Sequence, residues 1–191
     1  MNRLTREVFV KQTCELLKER GRIDFALSDL LDACGARKGS LYHFFPDGKG
    51  EVILAAVEHM SQCALAHVSG CLEAEDSVSD AVFRVVNELA MWIETPGRFN
   101  AIPFTAIAAI TGADDEAVRL ACQQALQRVQ TRFIKPLQDE GLKRKDAKSL
   151  AVFIVTVIEG AFLYSRTVQT SEPLRNAAVH LKKAIDGAQK R

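Results

Sequence analysis

Two groups of residues in this chain carry reactive or binding side chains at meaningful spacing. The first is the run K-G-S-L-Y-H-F-F at 38–45. On a helix that starts near Lys38, Leu41 and Phe45 stand four residues apart and pack inward. Gly39, Tyr42 and His43 then share the other face, with Lys38 and Ser40 at the amino end. A face that carries ammonium, hydroxyl, phenol and imidazole groups suits contacts to phosphates and base edges. The second group is His59, Cys63, His67 and Cys71, spaced in steps of four. Neighbours in such a series lie on nearly one helix face, within reach of a shared metal or of a thiol activated by imidazole. Each step of four drifts by roughly 40°, so a straight helix cannot aim all four at one ion. The plainer reading is that the cysteines act as small buried apolar residues, and neither a metal nor another cofactor is assigned.

The first group must be positioned by the segment around it. Residues 28–45 read S-D-L-L-D-A-C-G-A-R-K-G-S-L-Y-H-F-F. Ser28 is the expected N-cap of a short helix with Leu30, Leu31 and Cys34 inward, and Gly35 supplies the left-handed turn that ends it. A preceding amphipathic helix over 5–20, with Val8 or Phe9, Thr13, Leu16 and Leu17 as its apolar residues, supports this pair and stops at Gly21. Ile23, Phe25 and Leu27 alternate in a short extended link. Two helices joined by a glycine-bearing turn, the second exposing a basic and hydroxyl-rich face, form the pattern of a DNA-binding helix-turn-helix. After Phe45, P-D-G-K-G-E makes a turn, and a fourth helix runs from about 49 to 71.

Composition narrows the possible functions. The formal net charge of +1 excludes bulk polyelectrolyte attraction as a source of nucleic-acid affinity, so any DNA contact must come from a local patch. Arg37, Lys38 and Lys49 bracket the second helix of the motif, and Arg3 and Arg6 lie on the amino-terminal arm. The five cysteines are odd in number and form no C-x-x-C pair, which argues against a disulfide framework or zinc ribbon and for a reducing cytoplasm. The amino terminus carries no apolar signal core, and the apolar run at 150–158 is too short to span a bilayer. There is no G-x-S-x-G, phosphate-binding glycine loop or H-E-x-x-H, so no enzyme is expected.

The fold class is all-α: an N-terminal three-helix head over 1–48 and an antiparallel helical body over 49–191, about nine helices in total. In the body, Ser77 with Asp80 resembles a capping box for a helix that Thr95-Pro96-Gly97 ends. Pro103 opens a short helix to Ile110, which Gly112 closes. Asp114 or Asp115 begins a helix that ends near Pro136. Two further helices cover about 146–169 and 172–188. The eighth helix is apolar nearly all round, with Leu150, Phe153, Ile154, Val157, Ile158 and Ala161 in one stripe. The ninth carries Leu174, Ala178, Leu181 and Ile185. Paired about a two-fold axis, these two helices could build a dimer interface with Phe153, Val157, Gly160, Leu174 and Leu181 in it, Gly160 allowing close approach. The alternative is that both pack into the chain's own core. Met60, Phe83, Met91, Trp92, Phe99, Phe104, Phe133 and Phe153 offer aromatic and sulfur surface for an apolar cavity. Trp92 and Phe104, flanking a helix break, are the preferred pair, with Met60 and Cys63 as further candidates.

In order and motif, residues 5–55 resemble the TetR/AcrR family of bacterial transcription regulators, and the F-P-x-G-K segment is similar to its LmrA-like branch. The E-G-A-F-L run at 159–163 resembles that branch near its dimer interface. The resemblance implies Lys38, Gly39, Ser40, Tyr42 and His43 at the DNA, Tyr42 and Lys49 on phosphates, and Ser28 near a backbone phosphate. It further implies a cytoplasmic homodimeric repressor with no membrane partner. Such a repressor binds a pseudo-palindromic double-stranded operator and is released by a small, largely apolar effector. Three positions depart from the family pattern: Arg37 replaces a usual Ser or Thr cap and adds charge beside the DNA, Phe44 replaces a commonly polar aromatic residue, and Leu31 replaces a small one. A reading of a different class is a redox- or metal-sensing module built on His59, Cys63, His67 and Cys71, or a ligand-binding protein that has lost DNA binding.

Overall fold

The computed structural model describes residues 4–20, 25–95, 102–109 and 116–189, and among them every regular element is a helix. The order is α1 (Arg6–Arg20), α2 (Leu27–Cys34), α3 (Lys38–Phe44), α4 (Lys49–Ala74), α5 (Val78–Glu94), α6 (Phe104–Ala109), α7 (Glu116–Asp139), α8 (Arg144–Val168) and α9 (Glu172–Gln189). The expected roles of Arg3, Gly21, Ile23, Pro96, Gly97, Phe99, Ile110, Gly112, Asp114 and Asp115 fall outside the described residues. The helices divide into two compact units, one within Met1–Gln62 and Asn100–Ala125, the other within Cys63–Phe99 and Leu126–Arg191.

In the first unit the core is aromatic and aliphatic. Phe9 and Leu17 of α1, Phe25, Leu30 of α2, Leu41 of α3, Phe45, Val52 and Val57 of α4 and Ile107 of α6 are all buried. Ser28 does not cap α2, contrary to expectation: the N-cap is Ala26, so the helix begins at Leu27, two residues earlier than a Ser28 cap would place it, and Ser28 is exposed in its first turn. The reason is Asp29, whose Oδ2 reaches back to accept the Ala26 N–H at 3.0 Å and so satisfies a donor that Ser28 cannot reach from inside the helix. The other end follows the expected chemistry. Gly35 adopts φ 58°, ψ 34°, its N–H meets the Asp32 carbonyl at 3.1 Å, and the Ala36 N–H meets that of Leu31 at 2.8 Å. This is a Schellman turn, which needs a left-handed residue at its centre.

The second unit is built on α5, α8 and α9. Packing is most extensive between α5 and α9, followed by α8 with α9 and α5 with α8. Val82, Val85 and Val86 of α5, Ala151 and Ile154 of α8, and Leu174, Ala178, Leu181 and Ile185 of α9 are buried, the last four at helical spacing. Each large side chain so enclosed contributes roughly 1.5–3 kcal/mol. Polar contacts fix the helix ends: Ser77 Oγ accepts the Asp80 N–H at 3.0 Å, and Glu140 Oε1 accepts the Val78 N–H at 2.6 Å. Asp80 in turn receives Lys182 of α9, and the Arg175 guanidinium grips Glu94 with contacts of 2.7–2.9 Å. Helix α7 passes through Pro136 to Asp139 instead of ending there. The missing proline N–H costs one bond near the helix end, while the Pro136 carbonyl still accepts the Glu140 N–H at 3.0 Å.

The Gly35 turn makes a sharp test. A Cβ at Gly35 would meet nothing within 4 Å, so Gly35→Ala isolates backbone strain and should cost about 1–2 kcal/mol. Gly39 is equally open but helical, so Gly39→Ala should be neutral or stabilising by up to about 1 kcal/mol; urea midpoints of both variants check the contrast. Asp80 supplies a pH test. Its hydrogen bond from Lys182, and then that from Ser77, hold its carboxyl below the ordinary 3.8. The stabilisation is therefore complete above that value and is lost as pH falls through the lower folded-state value. The stability difference between wild type and Asp80→Asn should shrink between about pH 7 and about pH 3, read from denaturation midpoints at the two pH values.

Candidate nucleic-acid interface

Helix α3 has two chemically distinct sides. Leu41 and Phe45 are fully enclosed, with Phe45 edge-on to Phe9 at a centroid distance of 6.0 Å and 81°. Lys38, Gly39, Tyr42 and His43 are exposed, and Ser40 is half-buried. Arg37 precedes the helix in extended conformation, φ −93° and ψ 154°, with no side-chain cap, and is exposed. Phe44 lies between these sides: it packs tilted on Phe9 at 6.0 Å and edge-on to His43 at 4.9 Å. Packing therefore accounts for Phe44.

Tyr42 is held in place as well as exposed. Lys38 Nζ lies 5.7 Å from its ring centroid, and a Cβ on Gly48 would come within 3.4–3.5 Å of its Cε1 and hydroxyl. Gly48 also has φ +74°, so the turn after α3 needs glycine for its backbone, while the phenol lies at ordinary van der Waals distance from where a Cβ would stand. The other cations lean on aromatic faces. Lys49 Nζ lies 4.6 Å from the Phe25 centroid and Arg6 Cζ lies 4.8 Å from that of Phe45. Such cation–π contacts hold the charges at the edge of the aromatic core. Nothing in composition or period signalled these two pairings.

The remaining expected sites are less uniform. Helix α8 exposes Val152, Phe153, Thr156, Gly160, Leu163, Tyr164 and Val168 at helical spacing, with Phe153 at 47% and Tyr164 at 60%, while Val157 is half-buried. Leu174 and Leu181 do not belong to that surface: they are 0% and 1% exposed, enclosed in the chain's own core, so the expectation that both meet a second copy is corrected. Phe153 and Ile154, placed in one stripe from sequence, part company in burial: Phe153 is exposed and Ile154 buried. Among the described residues α8 is also the helix long and apolar enough to cross a membrane by length and composition, which the 150–158 run understated.

The aromatic residues proposed for one cavity are dispersed. Phe133 is core, Phe83 and Met91 are exposed, Met60 and Trp92 are half-buried and Phe104 is buried. A groove of about 520 Å³ in the first unit is lined by Arg6, Glu7, Val10, Glu51, Leu54, Ala55, Glu58, His59 and Gln62, and by none of Met60, Cys63, Trp92 or Phe104. The spaced His/Cys series also separates: His59 lines that groove, Cys63 is exposed, and His67 and Cys71 cluster with Glu88 of α5 in the second unit. No disulfide links the five cysteines.

Comparison with known proteins places this geometry. The C-terminal domain model of the LmrA/YxaF-like transcriptional regulators matches residues 79–180, more than half the chain. The HTH-type transcriptional regulator LmrA of Bacillus subtilis (strain 168) is 27% identical over 187 residues, 98% of this chain and 97% of that protein. The uncharacterised HTH-type regulator YxaF of the same organism is 25% identical over 170 residues, 89% of each chain. The crystal structure of a TetR transcriptional regulator from Chloroflexus aurantiacus superposes with a TM-score of 0.80 at 22% identity, covering 95% of this chain and 93% of that one. Escherichia coli NemR in its reduced form gives 0.77 at 21% identity, with coverage of 93% and 95%. With nine helices among its described residues, a helix-turn-helix near its start and a body matched by that domain model, the chain belongs to the TetR family of transcriptional regulators, in its LmrA/YxaF-like branch.

Proposed function

We propose that this regulator is a repressor that reads a pseudo-palindromic operator as a homodimer, with α3 in the major groove. The observation that carries the reading is the division of α3: Leu41 and Phe45 are fully buried while Lys38, Gly39, Tyr42 and His43 are all exposed. The inward pair anchors the helix, and the outward face offers charge, a phenol and an imidazole to a groove. Gly39, where an added Cβ would meet nothing within 4 Å, lets a sugar or phosphate come close to the backbone. Lys38 and Arg37 supply local positive charge that the net charge of +1 does not. Tyr42, braced by Gly48 and Lys38, presents its hydroxyl to a phosphate, and Lys49 adds a second phosphate contact from the start of α4. Ser28, in the first turn of α2, is a further phosphate contact, and Ser40 completes the α3 set.

A second copy is what we propose to cover α8. Its exposed stripe of Val152, Phe153, Leu163, Tyr164 and Val168 is too apolar to be a solvent face, and Gly160 sits among them. In a two-fold dimer the two α3 helices would enter successive major grooves, about 34–36 Å apart. An effector of small, largely apolar character would act by favouring a dimer state that no longer matches that spacing, limited by its differential affinity for the two states. Trp92, half-buried in the second unit, is the candidate contact that could report it. No catalysis forms part of this reading, and its setting is the cytoplasm.

Fluorescence anisotropy with the DNA upstream of the chain's own gene tests the interface. Lys38→Ala should weaken binding similarly for all sequences and lower the salt slope by about 1, the signature of one lost phosphate contact. Tyr42→Phe should weaken binding at every salt concentration without unfolding the chain. Retention of wild-type affinity and slope in both would remove α3 from the interface. For the dimer, Leu163→Glu should convert the protein to monomer by light scattering with its helical circular dichroism unchanged; an unaltered dimer would show that α8 is not the shared face.

A further inference from the structure

Glu88 of α5 completes a ligand set that α4 only begins. His67 and Cys71 stand one helical turn apart on α4, and one ligand atom from each, with a carboxylate oxygen of Glu88, lie within 4.8 Å of one another. We propose that His67, Cys71 and Glu88 form a binding site for one divalent transition-metal ion of the zinc class.

The donor chemistry selects the ion. An imidazole nitrogen, a thiolate sulfur and one carboxylate oxygen suit zinc and its borderline neighbours, whereas magnesium and calcium require mostly oxygen ligands. The local geometry is already organised. His67 Nε2 lies 2.6 Å from Glu88 Oε2, so a cation would take the place of the proton between them. The second carboxylate oxygen accepts from Arg84 Nε at 2.8 Å, and Arg84 also meets Glu75 at 3.1 Å, so the ligating carboxylate is oriented from behind. The His67 ring rests against Trp92 at 5.1 Å, which fixes its plane. Cys71 is 3% exposed, so its thiol is held in place at the inner side of the cluster.

Binding requires small movements only. Ligands on a tetrahedral zinc at about 2.0–2.3 Å stand roughly 3.2–3.7 Å apart. The His67–Glu88 pair must open and come nearer the buried thiol, shifts of about 1 Å that rotamer adjustments of the partly exposed His67 and Glu88 side chains can supply. Three protein ligands leave a fourth position for water or a small ligand. The site differs from the four-residue His/Cys series read from the sequence: it keeps His67 and Cys71, omits His59 and Cys63 and adds Glu88.

Cobalt(II) titration of the tag-free full-length protein tests it, because cobalt–thiolate bonds absorb in the near ultraviolet. Trp92, the single tryptophan, gives an independent quenching signal. The expected result is one cobalt per chain, a charge-transfer band, quenched Trp92 emission and reversal by zinc. Cys71→Ser should abolish the band, and His67→Gln and Glu88→Gln should each weaken cobalt binding by at least about tenfold. Cys63→Ser and His59→Gln should bind as wild type. His67→Gln, at a half-buried position, decides the matter if Cys71→Ser does not fold by circular dichroism. The proposal is overturned if saturating cobalt gives no band, if the band survives Cys71→Ser, if His67→Gln binds as wild type, or if Cys63→Ser removes the band.

Discussion

The outward face of α3 depends on two side chains that point the other way. A helix of seven residues cannot hold itself in water, since the cost of nucleating it exceeds what so few internal bonds return. Burial of Leu41 and Phe45 supplies the difference, at roughly 1.5–3 kcal/mol each. Phe45 is fixed edge-on against Phe9 and beneath the Arg6 guanidinium, and its amide closes on the Leu41 carbonyl at 2.8 Å. With that rotation set, Lys38, Gly39, Tyr42 and His43 can only face outward. The turn that follows rests on Gly48, whose left-handed φ of +74° suits glycine and whose backbone packs beside the Tyr42 ring.

The second unit solves a different problem. Helix α8 has more apolar surface than one face can bury. Ala147, Ala151, Ile154, Val155 and Phe162 go into the core with α5 and α9, and Val152, Phe153, Leu163, Tyr164 and Val168 are left outside. Helix α9 commits its whole apolar stripe to the chain's own core, so among large apolar residues Val179 remains exposed on it. Ion pairs decorate the edges of this packing. Arg84 between Glu75 and Glu88, and Arg175 on Glu94, are largely solvent-exposed and order side chains more than they add stability. At Glu88 that ordering acquires a chemical use, since the carboxylate held by Arg84 also faces His67 and Cys71.

Local sequence determined a good deal. The four-residue spacing of Leu41 and Phe45 set the two sides of α3, Gly35 announced a left-handed turn, and Ser77 with Asp80 announced the start of α5, because each of these signals acts within one helical turn. The same locality explains the all-helical body. Tertiary structure decided what lies beyond that range. Period shows which residues share a face but not which of two apolar faces the chain will cover itself, so Leu174 and Leu181 look as fit for a partner as Phe153 until α5 is seen to pack on α9. Whether Ser28 or Asp29 served the start of α2 turned on a two-residue shift of the N-cap, to Ala26, that helix propensity does not resolve. The His/Cys series had a visible spacing, yet its third ligand, Glu88, is 17 residues from Cys71 along the chain and reaches it only through the packing of α4 and α5. Sequence specifies neighbours along a helix, and only the packing of helices brings distant side chains to one atom's reach.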